Sequence, residues 1–327
     1  LDDLVRARSL LERAGSPITP VAVEPLGSGV KSTVLRVRDE AGEQFALKLY
    51  AEGTERAAER EIAFHNAVGD DHGLPIPRLV ASSVDDEDAP NGFTLVTIEP
   101  GRLMKDIVDD VFEDELHGLR RQIGAFLAQL HQTPVASFGE LVPHQPAEQS
   151  ASAMGFTTWA IDQELASYLE HDGNRALAAR IAAWVRERAP LLDQTTNPKL
   201  LHLDLHEGNV MVQRVPGGTP VMRAVIDFEC AGGGDPVSDF ARSTTLQRGG
   251  GTEQALDAML EGYGGLPDGW RDRYDVYRVQ HTFSLLRWYR KNVSGSGVRG
   301  CERTLSRIVG ANRRAKMGAR LRGRNFK

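Results

Sequence analysis

The chain predicts an α+β fold in two lobes, on three observations. Apolar residues alternate in twos through the first hundred positions or so, and helical spacing dominates afterwards. At 327 residues the chain also exceeds the size at which one hydrophobic core usually stops growing. The expected division is an N-terminal lobe at 1–98, a five-stranded antiparallel sheet with one helix, and a C-terminal lobe at 99–327, mainly helical with one small hairpin.

Each element has its own signal. "LDDLVRARSLLERAG" opens with acids and ends on Gly15, as a helix does. "VAVEPL" (21–26), "TVLRVR" (33–38) and "QFALKLY" (44–50) alternate in twos and predict an antiparallel meander. "ERAAEREIAFHNAV" (55–68) returns to helical spacing, and "RLVASSV" and "FTLVTI" add two strands around the acidic turn "DDEDAPNG". From "DELHGLRRQIGAFLAQLHQ" (114–132) onward the pattern is amphipathic helix, again at 159–190, 236–247, 252–263 and 270–291. The exception is 200–228, where "NVMVQ" and "RAVIDF" flank the turn "VPGGTP" and form the hairpin.

Composition bounds the function. Apolar residues make up 41%, enough for a folded globule, and no apolar run is long enough to span a bilayer. The N-terminus lacks the order of a signal peptide, so a soluble, cytoplasmic protein with no membrane association is expected. Cys230 and Cys301 form no CxxC pair and are expected as reduced thiols. Lys and Arg number 39 against 45 acids, a net charge of −6, which argues against a nucleic-acid coat. The C-terminus departs from that balance, since Arg299 to Lys327 holds ten Lys or Arg against the single acid Glu302. Such a tail can bind RNA or form the solvated face of a terminal helix; the helix is favoured, and nucleic acid is not expected as a partner.

Several stretches carry chemistry. "LGSGVKST" (26–33) lacks the Gly before Lys of a P-loop and joins two strands. With Gly27, Ser28 and Gly29 it is either a tight hairpin turn or a loop whose N–H groups cover a triphosphate. Lys48 lies on a strand whose neighbours Leu47 and Leu49 point to the opposite face, so it is either an edge lysine in water or an ammonium needing an anion. Glu59 and Glu61 on the following helix both offer one. In "HLDLHEGNV", His202, Asp204 and Asn209 form HxDxxxxN: Asp204 can accept a proton from an attacking hydroxyl, and Asn209 offers an amide oxygen to Mg²⁺. His202 and His206 make zinc a poorer alternative, with no third ligand close in sequence. Asp227 ends an apolar strand, where it either reaches Mg²⁺ or is simply solvated, and Glu229 either assists or faces water. Asp235, Pro236 and Asp239 are expected to cap and anchor the next helix.

Together "HLDLHEGN", "VIDFECAGGGDPVSDFAR", "FALKLY", "EREIAF" and "LAQLHQTP" resemble the aminoglycoside phosphotransferase and choline kinase superfamily, relatives of protein kinases, over residues 20–290. The resemblance implies a two-lobed protein-kinase-like fold with ATP or GTP in the cleft. By position it implies that Lys48 meets the phosphates with Glu61 as its partner, that Asp204 is the catalytic base, and that Asn209 and Asp227 hold Mg²⁺. Gly27, Ser28 and Gly29 would cover the phosphates, His202 would support the catalytic loop, and "TIEPG" would be the hinge, with main-chain groups of Thr97 and Glu99 facing adenine. Two features depart from the family: the phosphate loop has only Gly27 and Gly29 of the protein-kinase pattern, and Leu203 stands where the family often has Gly.

The implied reaction moves a γ-phosphate to a hydroxyl of a small molecule. With no long insertion between Asp227 and Asp235, an antibiotic acceptor leads over a regulated protein kinase. A metabolic acceptor such as choline, homoserine or a sugar is the alternative, and a nucleotide-binding module without turnover is a third. "DDVFEDE" (109–115), Asp162, Glu164, Glu170 and Asp172 offer carboxylates to a cationic acceptor or form a solvated face, while the basic tail runs against a polycation.

Overall fold

The computed structural model describes residues 2–28, 32–69, 73–214, 217–246 and 252–322. The alternating segments become β1 (Pro20–Ser28), β2 (Ser32–Asp39), β3 (Gln44–Tyr50), β4 (Leu79–Ser83) and β5 (Phe93–Thr97), with α1 (Asp3–Arg13) ahead of them and α2 (Glu55–Val68) between β3 and β4. They form one antiparallel sheet in the order β1-β2-β3-β5-β4. One face of it buries Leu35, Val37, Phe45, Leu47 and Leu49 beneath Ala7, Leu10 and Leu11 of α1. Asp2 caps that helix by accepting the Leu4 N–H, and Arg13 at its far end pairs with Asp86, Glu87 and Asp88 of the acidic turn. Side chains alternate along β3, so Lys48 and Tyr50 face the other way, and there α2 packs Ala57 and Ala58 with Tyr50.

The rest of the chain is mainly helical. It comprises β6 (Arg102–Leu103), α3 (Glu113–Leu130), β7 (Phe138–Glu140), β8 (Gln149–Ser150), α4 (Ala153–Glu170) and α5 (Arg175–Arg188). There follow β9 (Lys199–Leu201), β10 (Val210–Arg214), β11 (Pro220–Val225), β12 (Gly232–Gly234), α6 (Val237–Leu246), α7 (Thr252–Tyr263), α8 (Trp270–Lys291) and α9 (Gly295–Arg322). A single apolar cluster runs through the helices, with Phe126, Ile161, Ile181, Phe240, Phe283 and Leu305 at or near zero exposure. Among the described residues no helix is long and apolar enough to cross a membrane.

Three differences from expectation have local causes. The periodicity over 159–190 is two helices, because Asp172 turns left-handed (φ 57°) and Asn174 caps α5 by accepting the Leu177 N–H. The hairpin of β10 and β11 gains β6 as a third strand. The glycine run 232–234, to which the sequence assigns no element, is a buried strand between β7 and β9. Its lack of side chains is what admits the neighbours: a Cβ on Gly233 would stand 2.1 Å from Ser137 O, and one on Gly234 would stand 2.5 Å from Leu201 Cδ1.

Candidate active site

β3 and α2 meet at Lys48, whose Nζ lies 2.8 Å from Glu61 Oε2, 2.7 Å from Asp227 Oδ1 and 3.0 Å from Glu229 Oε2. Tyr50, two residues along the same strand face, donates its hydroxyl to Glu61 Oε2 at 2.6 Å. Lys48 is therefore no edge lysine; 12% of its side chain is exposed. Burial works against its charge, but Glu61, Asp227 and Glu229 outweigh that penalty and hold its pKa well above the ordinary lysine value. Burial raises the Glu61 pKa, Lys48 works against the rise, and Asp227 adds to it.

Of the two candidate partners on α2, Glu61 meets the lysine, while Glu59 pairs with His144 at 2.6 Å. Glu229 does not face water, being 5% exposed, which corrects one of its two sequence alternatives. Its position is set from α2 as well: Arg60 Nε donates to Glu229 O at 2.8 Å and Arg60 Nη1 to Glu140 at 2.9 Å. Arg56 grips both oxygens of Glu148 at 2.9 and 2.8 Å.

The stretch 202–209 is tied to the strand end that carries Asp227. Ile226 N donates to Asn209 O at 2.9 Å, and His202 Nε2 donates to Ile226 O at 3.2 Å. His202 Nδ1 accepts the Asp204 N–H at 3.2 Å. Both ring nitrogens are thus used within the protein, which excludes His202 as a zinc ligand. His206 Nδ1 accepts the Gly208 N–H at 2.9 Å, and burial pushes the His206 pKa down. Asn209 Nδ2 donates to Asp204 O at 3.0 Å, which aims the amide oxygen the other way.

Asp239 serves this loop rather than capping α6. Fully buried, it accepts the N–H groups of His202 at 2.9 Å and Leu203 at 2.7 Å, and it contacts His131 Nε2 at 3.1 Å. Burial would raise its pKa; the His131 hydrogen bond and the surrounding donors bring it below the usual carboxylate value. Leu203 sits at φ 59°, a region that favours glycine, with its amide held by Asp239. Asp235 is the cap, accepting the Val237 N–H at 3.1 Å while its other oxygen takes Arg273 Nε at 2.8 Å.

Arg242, which sequence patterning missed, donates through Nη2 to Asp204 Oδ1 at 2.8 Å. Its one signal was its spacing of three from Asp239, which places both on one face of α6. Gly27 and Ser28 continue β1, pairing with Val34 and Thr33, so the strand runs further than expected; Gly29 lies outside the described residues. Thr97 N donates to Arg78 O at 3.0 Å, so of its main-chain groups the amide is used in the sheet. Glu99, two residues past β5, stands clear of the ladder.

Asp227 (φ 70°), Glu229 and Glu61 bring carboxylate oxygens within 4.8 Å of one another. Their hard oxygen donors fit Mg²⁺ rather than a soft metal. The model of the phosphotransferase enzyme family matches residues 22–275 of this chain. The chain belongs to that family. As a member it is an enzyme, a kinase acting on small molecules.

Solved structures agree on the fold. A thermostable mutant of aminoglycoside phosphotransferase APH(4)-Ia, in ternary complex with AMP-PNP and hygromycin B, superposes with TM-score 0.67 at 18% identity, covering 93% of this chain and 97% of that one. A GDP and kanamycin complex of APH(2'')-IIIa gives 0.65 at 15%, covering 94% and 99%. A protein assigned as a fructosamine-3-kinase from Thermobifida fusca YX-ER1 gives 0.66 at 19%, covering 93% and 98%. At these identities the likeness concerns the two-lobed kinase-like fold.

Proposed function

We propose that this enzyme moves the γ-phosphoryl group of ATP or GTP to a hydroxyl of a small molecule in the cytoplasm, using the cleft between residues 1–98 and 99–327. The observation that carries it is the convergence of Lys48, Glu61, Asp227 and Glu229 within hydrogen-bond distance, with Asp204 and Asn209 laced to the same strand end. Lys48 binds the phosphates, Glu61 holds it in place, and Glu99 offers main-chain groups to the base. Asn209 and Asp227 hold Mg²⁺, with Glu229 beside them; the ion supplies neutralisation of phosphate charge. Asp204 takes the proton of the acceptor hydroxyl as its oxygen bonds to phosphorus and the bond to the nucleoside diphosphate breaks. Gly27, Ser28 and Gly29 cover the phosphates.

An antibiotic acceptor is favoured because the chain between Asp227 and Asp235 is short and already carries β12, leaving no room for a regulatory segment. The related structures that contain hygromycin B and kanamycin support a small-molecule acceptor for this fold. The test is Asp204→Asn, assayed for acceptor-dependent nucleotide consumption and for nucleotide binding by calorimetry. Activity should fall at least about a hundredfold while nucleotide affinity is retained. Equal turnover by the variant and the parent would refute Asp204 as the base.

A further inference from the structure

The acceptor hydroxyl has to lie against Asp204, so the charges beside that carboxylate select what can carry the hydroxyl. The cation there is Arg242. Its Nη2 is 2.8 Å from Asp204 Oδ1, and the two side chains are 15% and 19% exposed. Nε and Nη1 of the same guanidinium are buried with no hydrogen-bond partner among the described residues. A guanidinium offers five N–H donors in a fork matched to planar oxyanions, and unused buried donors are unfavourable. Those two nitrogens are enclosed, so an oxyanion arriving beside Asp204 meets the part of the guanidinium that remains exposed and the positive charge it carries.

The carboxylates offered by the sequence to a cationic acceptor are committed elsewhere or remain in solvent. Glu164 pairs with Arg287 at 3.2 Å, and Glu115 with Arg214 at 2.8 Å. Asp162, Glu170 and Asp172 are exposed surface. The cavity of about 320 Å³ between α4 and α8 sets Arg287, Arg290 and Lys291 against the one carboxylate of Glu164. An ammonium group brought beside Asp204 would meet Arg242 in a poorly solvated site, where like charges repel strongly.

We propose that Arg242 determines acceptor specificity, favouring a molecule whose reactive hydroxyl is flanked by a carboxylate or phosphate over one whose hydroxyl is flanked by an ammonium. This rests on the phosphotransferase function with Asp204 as base. The test compares phosphoryl transfer by the full chain to hydroxy acids and sugar acids, to sugar phosphates, to neutral sugars and to amino sugars. At least one acid of the first two sets should exceed the amino sugars in kcat/KM by about 30-fold or more, and the separate arms tell carboxylate from phosphate. Arg242→Gln should abolish that preference mainly by raising KM for the acid, and Arg242→Lys should restore most of it, whereas a merely structural role would lower kcat for every acceptor alike. If the glutamine variant does not fold, the ranking by the parent enzyme decides alone. Transfer to none of the acids, amino sugars used as well as acids, or a preference that survives in folded Arg242→Gln would overturn the proposal. Should nucleotide turnover still depend on Asp204 in that case, only the specificity fails; if Asp204→Asn matches the parent, the phosphotransferase function fails with it.

Discussion

Asp239 has no exposed surface, yet it satisfies the amides of His202 and Leu203 and contacts His131. Asp239→Ala strands the buried His202 N–H and the partly buried Leu203 N–H next to Asp204, and we expect a loss of about 3 kcal/mol, read as a lower midpoint of thermal or urea unfolding. His281 is the second residue with a measurable consequence. Burial, with Arg242 nearby, pushes its pKa down to about 3, and its Nε2 shares a hydrogen with Ser238 Oγ at 2.9 Å. Above about pH 6.5 the ring is neutral in both the folded and the unfolded chain, so it contributes no pH dependence. Below that value the unfolded chain takes up a proton that the folded one refuses, and stability falls by up to about 1.4 kcal/mol per pH unit towards pH 3. Urea unfolding of His281→Gln should show a flatter decline between pH 6.5 and 5; an unchanged slope would mean that His281 accepts the proton in the folded state.

At the scale of elements, β12 is the least forgiving piece, since each of its glycines has a neighbour within contact distance of where a side chain would begin. Gly233→Val should part β12 from the Ser137 carbonyl and cost more than about 3 kcal/mol, seen as a clear drop in thermal midpoint, whereas Gly118→Ala in α3, where a Cβ would meet nothing within 4 Å, should cost far less. Such a strand was illegible in sequence because glycine carries no side-chain period. The five-stranded sheet was legible because one face of it is buried, and that burial enforces alternation at Leu47 and Leu49 with Lys48 opposed. Asp204, Asn209 and Asp227 were legible because short spacings fix them on one loop and one strand end. Arg242 was not, since its partner lies 38 residues away and a spacing of three from Asp239 is too common within a helix to single it out. Glu229 stayed ambiguous because the left-handed Asp227 breaks the alternation that would have set its direction.

For the whole molecule, the charge at the cleft sets how its ligands combine. One lysine faces three carboxylates there, and a nucleotide triphosphate brings further negative charge. We expect Mg²⁺ to tighten nucleotide binding by at least about tenfold and, by reciprocity, nucleotide to tighten Mg²⁺ binding by the same factor. Titration calorimetry with each ligand alone and then together measures both factors; equal nucleotide affinity with and without Mg²⁺ would rule out an ion at this cluster.

The double allegiance of α2 has a mechanical consequence. Its chain connections run to β3 and β4, but Arg56 and Arg60 are fastened to Glu148, Glu140 and the Glu229 carbonyl on the far side of the cleft. Swinging the sheet away from the helices would drag this crank between its two moorings. Glu61 rides on it, so the gap to Lys48 would act as a built-in gauge of how far the jaws have parted.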